Sequence, residues 1–396
     1  MPRFWPTNLV RMREPAQRLR GIPPTVFTEM SALALRTDAV NLGQGFPDSD
    51  GPASVVRRAA DALAHGENQY APGPGRPELR SAIARHQARH YRLELDPATQ
   101  VVVTTGATEA IAAAILGLVD PGDEVVVLEP FYDSYVAVLQ MAGAVRRPVT
   151  LRSPEFRLDL DAVRAAVTDR TRFLLVNTPH NPTGAVLHAD ELAGLAAIAV
   201  EHDLVVISDE VYEHLTYESP HVPIATLPGM AERTLTISSV GKSWSFTGWK
   251  VGWATGPADL VAAVLGAKQW LTFTSAGPLQ SAVALALDEE EAWPKALATD
   301  LQQRRDLLVD GLHGLGLPTH RPEGTYFAVS DITDLGWPDG RSFCLALPER
   351  AGVVAIPLQG FYDSDAGRQL VRWAFCKDHT VIEEGLRRLG GATLSA

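Results

Sequence analysis

The stretch TLTISSVGKSWSFTGWKVGW, residues 234–253, joins a buried strand to a lysine and decides how the rest of the chain is interpreted. Its β-branched beginning, from Thr234 to Ile237, predicts a strand that ends in small hydroxyl residues. Lys242 follows, between Gly241 and Ser243, among side chains too small to hide it or to pair with it. A lysine where the chain leaves a hydrophobic strand therefore indicates a chemical role.

Four apolar runs earlier in the chain also lack polar alternation, which is typical of strands covered on both faces. They are VVVTT (101–105), EVVVLE (124–129), RFLLVN (172–177) and LVVISD (204–209). Helical patterns lie between them, for example at 107–119 and 188–203. Alternation of strand and helix predicts an α/β fold with a mostly parallel sheet and right-handed crossovers.

Composition narrows the classes of function. The chain has 396 residues, and its 35 Lys+Arg against 47 Asp+Glu give a net charge of −12, which argues against a nucleic-acid surface. The two cysteines, Cys344 and Cys376, form no CxxC pair, so we expect a reducing cytoplasm, no disulfide framework and no metal site. No signal-peptide pattern and no apolar membrane span are apparent.

The pattern changes twice along the chain and predicts three parts. Residues 1–45 are rich in Pro, Arg and Gly and are interpreted as an irregular arm that contributes to a small domain. Residues 46–287 hold the strand–helix alternation of a large cofactor-binding domain. Residues 288–396 begin with a long charged helix and continue with alternating strands, which indicates a smaller α+β domain.

Polar residues collect where the predicted strands end, and ligands bind at the carboxyl ends of open α/β sheets. Gly106, Ala107 and Thr108 begin a helix and can hold an anion, although taken alone they are better explained as a plain helix N-cap. Asn177 and Asn181 flank a turn, and Asp209 ends an apolar strand, where a buried carboxylate needs a positive partner.

A desolvated lysine can form a Schiff base with an aldehyde, which makes Lys242 a candidate nucleophile. A phosphate for the helix start, an aldehyde for the lysine and a ring nitrogen for Asp209 describe one small molecule. Pyridoxal 5'-phosphate has all three groups, so the sequence predicts it as the cofactor.

Several motifs together resemble the fold-type-I aminotransferases of the aspartate aminotransferase superfamily. They are SSVGKSWSFTGWKVGW (238–253), NTPHNPTG (177–184), SDEVYEHLTY (208–217) and NLGQGFPDSDGP (41–52). The likeness is greatest to the kynurenine/glutamine and methionine aminotransferase group, which includes cysteine S-conjugate β-lyases and actinobacterial enzymes assigned to N-succinyldiaminopimelate transamination. It extends from about residue 24 to 390 and implies a large domain with a seven-stranded, mostly parallel sheet and a small α+β domain.

The resemblance implies a role for each cofactor residue. Lys242 would hold the cofactor as an internal aldimine, while Asp209 would pair with the ring nitrogen. Asn181 and Tyr212 would contact the 3-hydroxyl oxygen, and Tyr132 would stack on the ring. The residues expected around the phosphate are Gly106, Ala107, Thr108, Ser239 and Lys250, with Tyr70 reaching over from a neighbouring subunit. A homodimer with shared active sites is therefore implied.

The resemblance also implies a substrate site. Arg372, in LVRWAFCK, would bind the α-carboxylate with help from Asn177 and the backbone of Gly43. Phe27 stands where tryptophan is common in the group and would line the side-chain pocket. No second arginine is evident as a distal-carboxylate site, which weighs mildly against a substrate such as aspartate.

The favoured interpretation is an aminotransferase that moves an amino group between a neutral, aromatic or sulfur-containing L-amino acid and a 2-oxo acid. Its catalytic residues would be Lys242, Asp209 and Tyr212. A C–S β-lyase acting on a cysteine S-conjugate and an N-succinyldiaminopimelate aminotransferase need the same residues and stay open. A non-catalytic regulatory module is disfavoured by the intact Lys242 and Asp209, and a nicotinamide dehydrogenase by the lack of GxGxxG after a strand.

Overall fold

A computed structural model describes residues 14–22 and 24–396 of the chain. Its strands are β1 (Val40–Asn41), β2 (Val101–Thr104), β3 (Glu124–Glu129), β4 (Val145–Thr150), β5 (Thr171–Asn177), β6 (Val205–Asp209), β7 (Thr234–Ser239), β8 (Gly252–Thr255), β9 (Thr319–His320), β10 (Phe327–Asp331), β11 (Val353–Val354), β12 (Ile356–Pro357) and β13 (Leu370–Ala374).

The α-helices are α1 (Val26–Thr37), α2 (Ala53–Ala64), α3 (Pro77–Tyr91), α4 (Gly106–Leu118), α5 (Asp133–Ala142), α6 (Leu160–Ala166), α7 (Ala189–Glu201), α8 (Val240–Ser243), α9 (Ala258–Lys268), α10 (Gly277–Glu289), α11 (Ala292–Gly314), α12 (Gly340–Ala351) and α13 (His379–Gly390).

A seven-stranded sheet with the order β2-β8-β7-β6-β5-β3-β4 organises the active-site part of the chain. Strands β4, β3, β5, β6 and β7 are parallel, whereas β8 is antiparallel to both of its neighbours. In register, Asn177 pairs with Asp209 and Asp209 with Ile237, so the ends of three parallel strands meet at one edge. The predicted fold class is confirmed.

The buried side chains of the sheet explain why its strands lack polar alternation. In β3, Val125 and Val127 pack into one apolar cluster, whereas Val126 and Leu128 pack into another on the opposite face. Both faces of the sheet are thus covered by helices, as the apolar runs predicted.

The fold contains two smaller sheets besides the seven-stranded one. Strands β12, β13, β10 and β9 form an antiparallel sheet, and β1 pairs with β11 in parallel. The second pairing joins a segment near the chain's beginning to its C-terminal part. The division into 1–45, 46–287 and 288–396 stays a prediction.

One expectation about the N-terminal part is wrong. The segment within residues 1–45 that was interpreted as irregular contains helix α1, which buries Met30, Leu33 and Ala34. Those residues recur at helical spacing, so the helix is stabilised by its apolar face despite the surrounding prolines and arginines. Residues 1–13 and Pro23 lie outside the described part of the chain. Within the described part, no helix has the length and apolar character needed to cross a membrane.

Candidate active site

A cavity of about 170 Å³ lies where the parallel strands end, and the side chains around it come from distant parts of the sequence. Sequence-predicted residues that line it are Gly106, Ala107, Thr108, Tyr132, Asn177, Asn181, Asp209, Tyr212, Ser239, Lys242 and Lys250. The fold therefore brings together eleven of the residues expected around a cofactor or substrate.

Lys242 lies in the short helix α8, which begins directly after β7. Its Nζ donates a 2.9 Å hydrogen bond to the hydroxyl of Tyr326, and that hydroxyl donates to the carbonyl oxygen of Gly45. Burial lowers the pKa of Lys242 to about 8, because the charged amine is poorly solvated there. A minor fraction of the amine, far larger than for an ordinary lysine, is therefore unprotonated and nucleophilic near neutral pH.

Asp209 ends β6 and is buried beside the same cavity. It accepts a 2.5 Å hydrogen bond from the hydroxyl of Tyr135 and a weaker one from the backbone N–H of Val211. Burial raises the pKa of Asp209 to about 6, since the hydrogen bonds only partly offset the loss of water. A cation placed against this carboxylate would be strongly favoured.

Two asparagines connect Asp209 to the substrate side of the site. Asn177 donates through Nδ2 to the backbone carbonyl of Asp209 at 2.9 Å, and its Oδ1 accepts from the backbone N–H of Asn181. The side-chain oxygen of Asn181 accepts a 3.1 Å hydrogen bond from Arg372. The contact to the arginine therefore comes from Asn181, while Asn177 fixes the backbone beneath it.

The start of α4 is built to approach an anion closely. Gly106 has a φ of +70°, a backbone conformation that favours glycine. At Gly252, a Cβ would lie 2.6 Å from the backbone N of Ala107, so only glycine fits at position 252. Lys250 Nζ lies 3.3 Å from Thr108 Oγ1, next to the first turn. Free backbone N–H groups and a cation together suit a phosphate.

Arg372 on β13 is only 1% exposed. Its guanidinium donates to Asn181 Oδ1 and to the carbonyl oxygen of Gly43 at 2.9 Å, neither of which carries a charge. It also lies 3.9 Å from the ring centroid of Phe327. Burial lowers the pKa of Arg372 to about 10, which leaves it cationic at neutral pH. A buried, incompletely neutralised guanidinium is suited to bind a carboxylate.

Four predicted site residues do not line this cavity, namely Arg372 and the three described next. The carbonyl oxygen of Gly43 accepts a hydrogen bond from Arg372. Phe27 lies 4.9 Å from the Arg372 guanidinium and lines a second, larger cavity that shares Tyr132 with the first. Tyr70 is 83% exposed and stacks edge-on against Phe273, so within one subunit it faces solvent.

Two tyrosines that the sequence reasoning did not select contact the reactive groups. Tyr135 donates to Asp209, and Tyr326 contacts Lys242. Tyr135 stands three residues after Tyr132, a spacing that places both on one side of α5's first turn, and this was the available signal. Tyr326 lies 84 residues after Lys242 in the chain, and no local sequence pattern relates the two residues.

The donor set fits pyridoxal phosphate. The cavity offers an amine with a lowered pKa, a buried carboxylate without a cationic hydrogen-bond donor, and a helix start with an adjacent lysine. These groups match an aldehyde, a protonated ring nitrogen and a phosphate. The residues that would hold the cofactor are Lys242, Asp209, Tyr132, Thr108, Ser239 and Lys250.

Comparison with known proteins agrees with this chemistry. The family described as "Aminotransferase class I and II" matches residues 37–389. A probable N-succinyldiaminopimelate aminotransferase of Mycobacterium tuberculosis is 55% identical over 385 residues, covering 94% of this chain and 97% of the relative.

Solved structures show the same likeness. The N-succinyldiaminopimelate aminotransferase of M. tuberculosis superposes with a TM-score of 0.94 at 55% identity, over 96% of this chain and all of that one. An Escherichia coli protein with methionine aminotransferase function superposes with a TM-score of 0.92 at 39% identity, over 96% of this chain and all of that one. A single mutant of the aspartate aminotransferase of Thermus thermophilus superposes with a TM-score of 0.89 at 35% identity, over 96% of this chain and all of that one.

Proposed function

Because this chain belongs to the class I and II aminotransferases, we propose that it transfers amino groups to and from an amino acid whose long side chain carries a second carboxylate. It is an aminotransferase, and members of this family use pyridoxal phosphate.

The reaction needs a proton carrier and two fixed charges. When bound, pyridoxal phosphate supplies an aldehyde for amines and a protonated ring that accepts the electron pair released at the substrate α-carbon. Once displaced by the incoming amine, the Lys242 amine would take the proton from the α-carbon and return it to a neighbouring carbon. Tyr326, hydrogen-bonded to Lys242, would orient that amine.

Asp209 and Arg372 would hold charge in place while Lys242 moves the proton. The Asp209 carboxylate would keep a proton on the ring nitrogen, and Tyr135 would orient the carboxylate through its hydrogen bond. Arg372 would bind the substrate α-carboxylate and so present the α-hydrogen to Lys242. Lys242 and Asp209 are the catalytic residues of this proposal, and Tyr212, the third catalytic residue that the resemblance implies, lines the same cavity.

The proposed substrate class rests on the second cavity. It measures about 720 Å³, adjoins the first at Tyr132, and has Arg341 and Arg146 in its wall, where Arg146 is paired with Asp363 at 3.0 Å. Arg341 pairs with Glu29 at 2.6 Å, with both side chains more than two-fifths exposed. Exposed pairs contribute roughly 0–1 kcal/mol, so a substrate carboxylate can replace Glu29 at little cost.

The two arginines are 195 positions apart, which is why no second carboxylate site was evident from the sequence. Together with the Mycobacterium relative's name, they support an N-succinyldiaminopimelate-like substrate over the neutral amino acids first favoured. The aromatic walls formed by Phe27 and Phe361 keep a second candidate open, an aromatic or sulfur-containing amino acid.

The test is a comparison of kcat/KM for N-succinyl-diaminopimelate and for methionine in the wild type, in Arg341→Met and in Arg164→Met. Arg164 is an ion-paired arginine of similar exposure on α6 and serves as the matched control. We expect Arg341→Met to lower kcat/KM for the acidic substrate about tenfold or more, and to leave methionine unchanged. An equal effect on both substrates, or a wild-type preference for methionine, would contradict the proposal.

A further inference from the structure

Three histidines that have no part in the proposed reaction form a cluster, two of which pack against Trp244 near Lys242. His86 and His90 are four residues apart on α3, and His214 follows β6. One ring nitrogen from each lies within 4.8 Å of the others. The Nε2 atoms of His86 and His214 are 2.7 Å apart.

This arrangement has the geometry of a metal-ligand set. Two histidines at positions i and i+4 project from the same face of a helix, and a third from another element completes the set. Zinc binds imidazole nitrogen at roughly 2.0–2.1 Å, which places tetrahedral ligand atoms about 3.3 Å apart. The 2.7 Å between His86 Nε2 and His214 Nε2 is shorter than that value, so these two rings would have to move apart to receive an ion.

Charged side chains of both signs surround the cluster, because Glu213 lies near His90 and Arg89 lies near His86 and His90. The carboxylate of Glu213 is buried and accepts a hydrogen bond from Ser238, and the buried carboxylate of Glu210 pairs with His221. In the described part of the chain, His86 Nδ1 has no hydrogen-bond partner, so only the contact to His214 restrains the ring by hydrogen bonding.

One side of the cluster remains accessible. His90 and His214 line a cavity of about 360 Å³ whose walls also include Glu213 and Glu291. A bound ion would thus have room for water or a small ligand at a fourth position. Imidazole ligands suit zinc, copper and nickel better than magnesium or calcium, which prefer oxygen.

We propose that His86, His90 and His214 bind one divalent transition-metal ion of the zinc class, with its fourth position open to this cavity. The ion would tie α3 to the segment after β6. Trp244, two residues beyond Lys242, packs at ring-centroid distances of 6.0 Å from His86 and 5.5 Å from His214. Binding would therefore stiffen the support of the active-site lysine.

The experiment uses the full-length holoenzyme after removal of bound metal by a chelator. Zn²⁺ is titrated by calorimetry and Co²⁺ by visible absorption, which reports the coordination geometry. We expect one ion per chain, a four-coordinate cobalt spectrum and a rise in unfolding temperature with Zn²⁺. His90→Ala and His214→Gln should each weaken binding at least about tenfold and abolish the thermal shift.

His65→Ala is the matched control, because His65 is an exposed histidine at the end of α2 and outside the cluster. It should bind both ions as the wild type does. His90 is itself exposed, so its variant remains informative even if replacement of the buried His86 prevents folding. Absence of saturable binding at one ion per chain, or unchanged affinity in His90→Ala and His214→Gln, would reduce the cluster to aromatic packing and overturn the proposal.

Discussion

At the scale of single residues, Asp209 shows how a catalytic group can oppose folding. The native state raises its pKa from 3.8 to about 6, so the folded protein binds this proton more tightly than the unfolded chain does. Stability contributed by the protonated form is present below about pH 4 and is lost as pH rises through 6. The difference of about two pKa units corresponds to roughly 3 kcal/mol.

The cofactor-free Asp209→Asn variant should therefore be more stable than the cofactor-free wild type at pH 7.5, by roughly 1–3 kcal/mol, and equal to it near pH 4. Denaturant unfolding of both proteins across this pH range measures the difference. With the cofactor bound, the order should reverse and kcat should fall about 10²-fold or more. A constant stability difference at every pH would show that Asp209 does not titrate as described.

The reactive residues were predictable because their chemistry is local, whereas their supporting residues were not. Lys242 and Asp209 each follow an apolar strand, and a charged group in that position is unusual enough to be noticed. Tyr326 and Tyr135 act through contacts that only the tertiary structure creates. Asn177 and Asn181 were both selected, yet which of them contacts Arg372 depends on the turn between them.

At the scale of elements, the contact between β8 and the start of α4 sets the distance at which an anion is held. A Cβ added to Gly252 would lie 2.6 Å from backbone atoms of both Gly106 and Ala107, and backbone cannot yield as a side chain can. The helix start must then shift away from the cavity.

Gly252→Ala should therefore lower cofactor affinity about tenfold or more, because overpacking of this kind costs roughly 1–3 kcal/mol. Gly248→Ala is the control, since within the described chain an added Cβ there has nothing within 4 Å. Fluorescence titration of the cofactor-free proteins with pyridoxal phosphate gives both affinities. Equal affinities for the two variants would show that β8 does not set the position of the helix start.

Elements with strong patterns were predicted to within about a residue, while weakly patterned ones were missed. Strands β3 and β7 have the predicted bounds because continuous apolar runs fit only a sheet covered on both faces. Strand β4, VRRPVT, was missed because its arginines and proline are tolerated only at the edge of the sheet. Strand β8 was missed because it is four residues long and lies within a glycine-rich motif.

At the scale of the whole molecule, one surface indicates a second copy of the chain. Trp270 is 84% exposed, and the side chains of Leu271, Phe273 and Tyr70 are exposed as well. Exposed apolar groups of this size mark interaction sites. We propose a homodimer in which this surface is covered and Tyr70 reaches the cofactor phosphate of the other subunit.

Mixing an inactive chain with one of weakened cofactor affinity tests the shared site. Tyr70→Phe should weaken cofactor binding about tenfold or more by losing one charge-assisted hydrogen bond, and Lys242→Ala should be inactive. A mixed dimer would contain one site with both changes and one site with neither, so activity at limiting cofactor should reappear on mixing. If the mixture gives only the sum of the two separate activities, Tyr70 acts within its own subunit or not at all.

The most direct test of the account is a single turnover of the purified holoenzyme with an amino acid and no 2-oxo acid, followed through the cofactor spectrum and the products. We predict complete conversion of the cofactor to pyridoxamine phosphate with one 2-oxo acid released per chain, fastest with N-succinyl-diaminopimelate and absent in Lys242→Ala. A cysteine S-conjugate that leaves the cofactor in its resting form while thiol and pyruvate accumulate beyond one per chain would instead identify a C–S lyase and contradict the account.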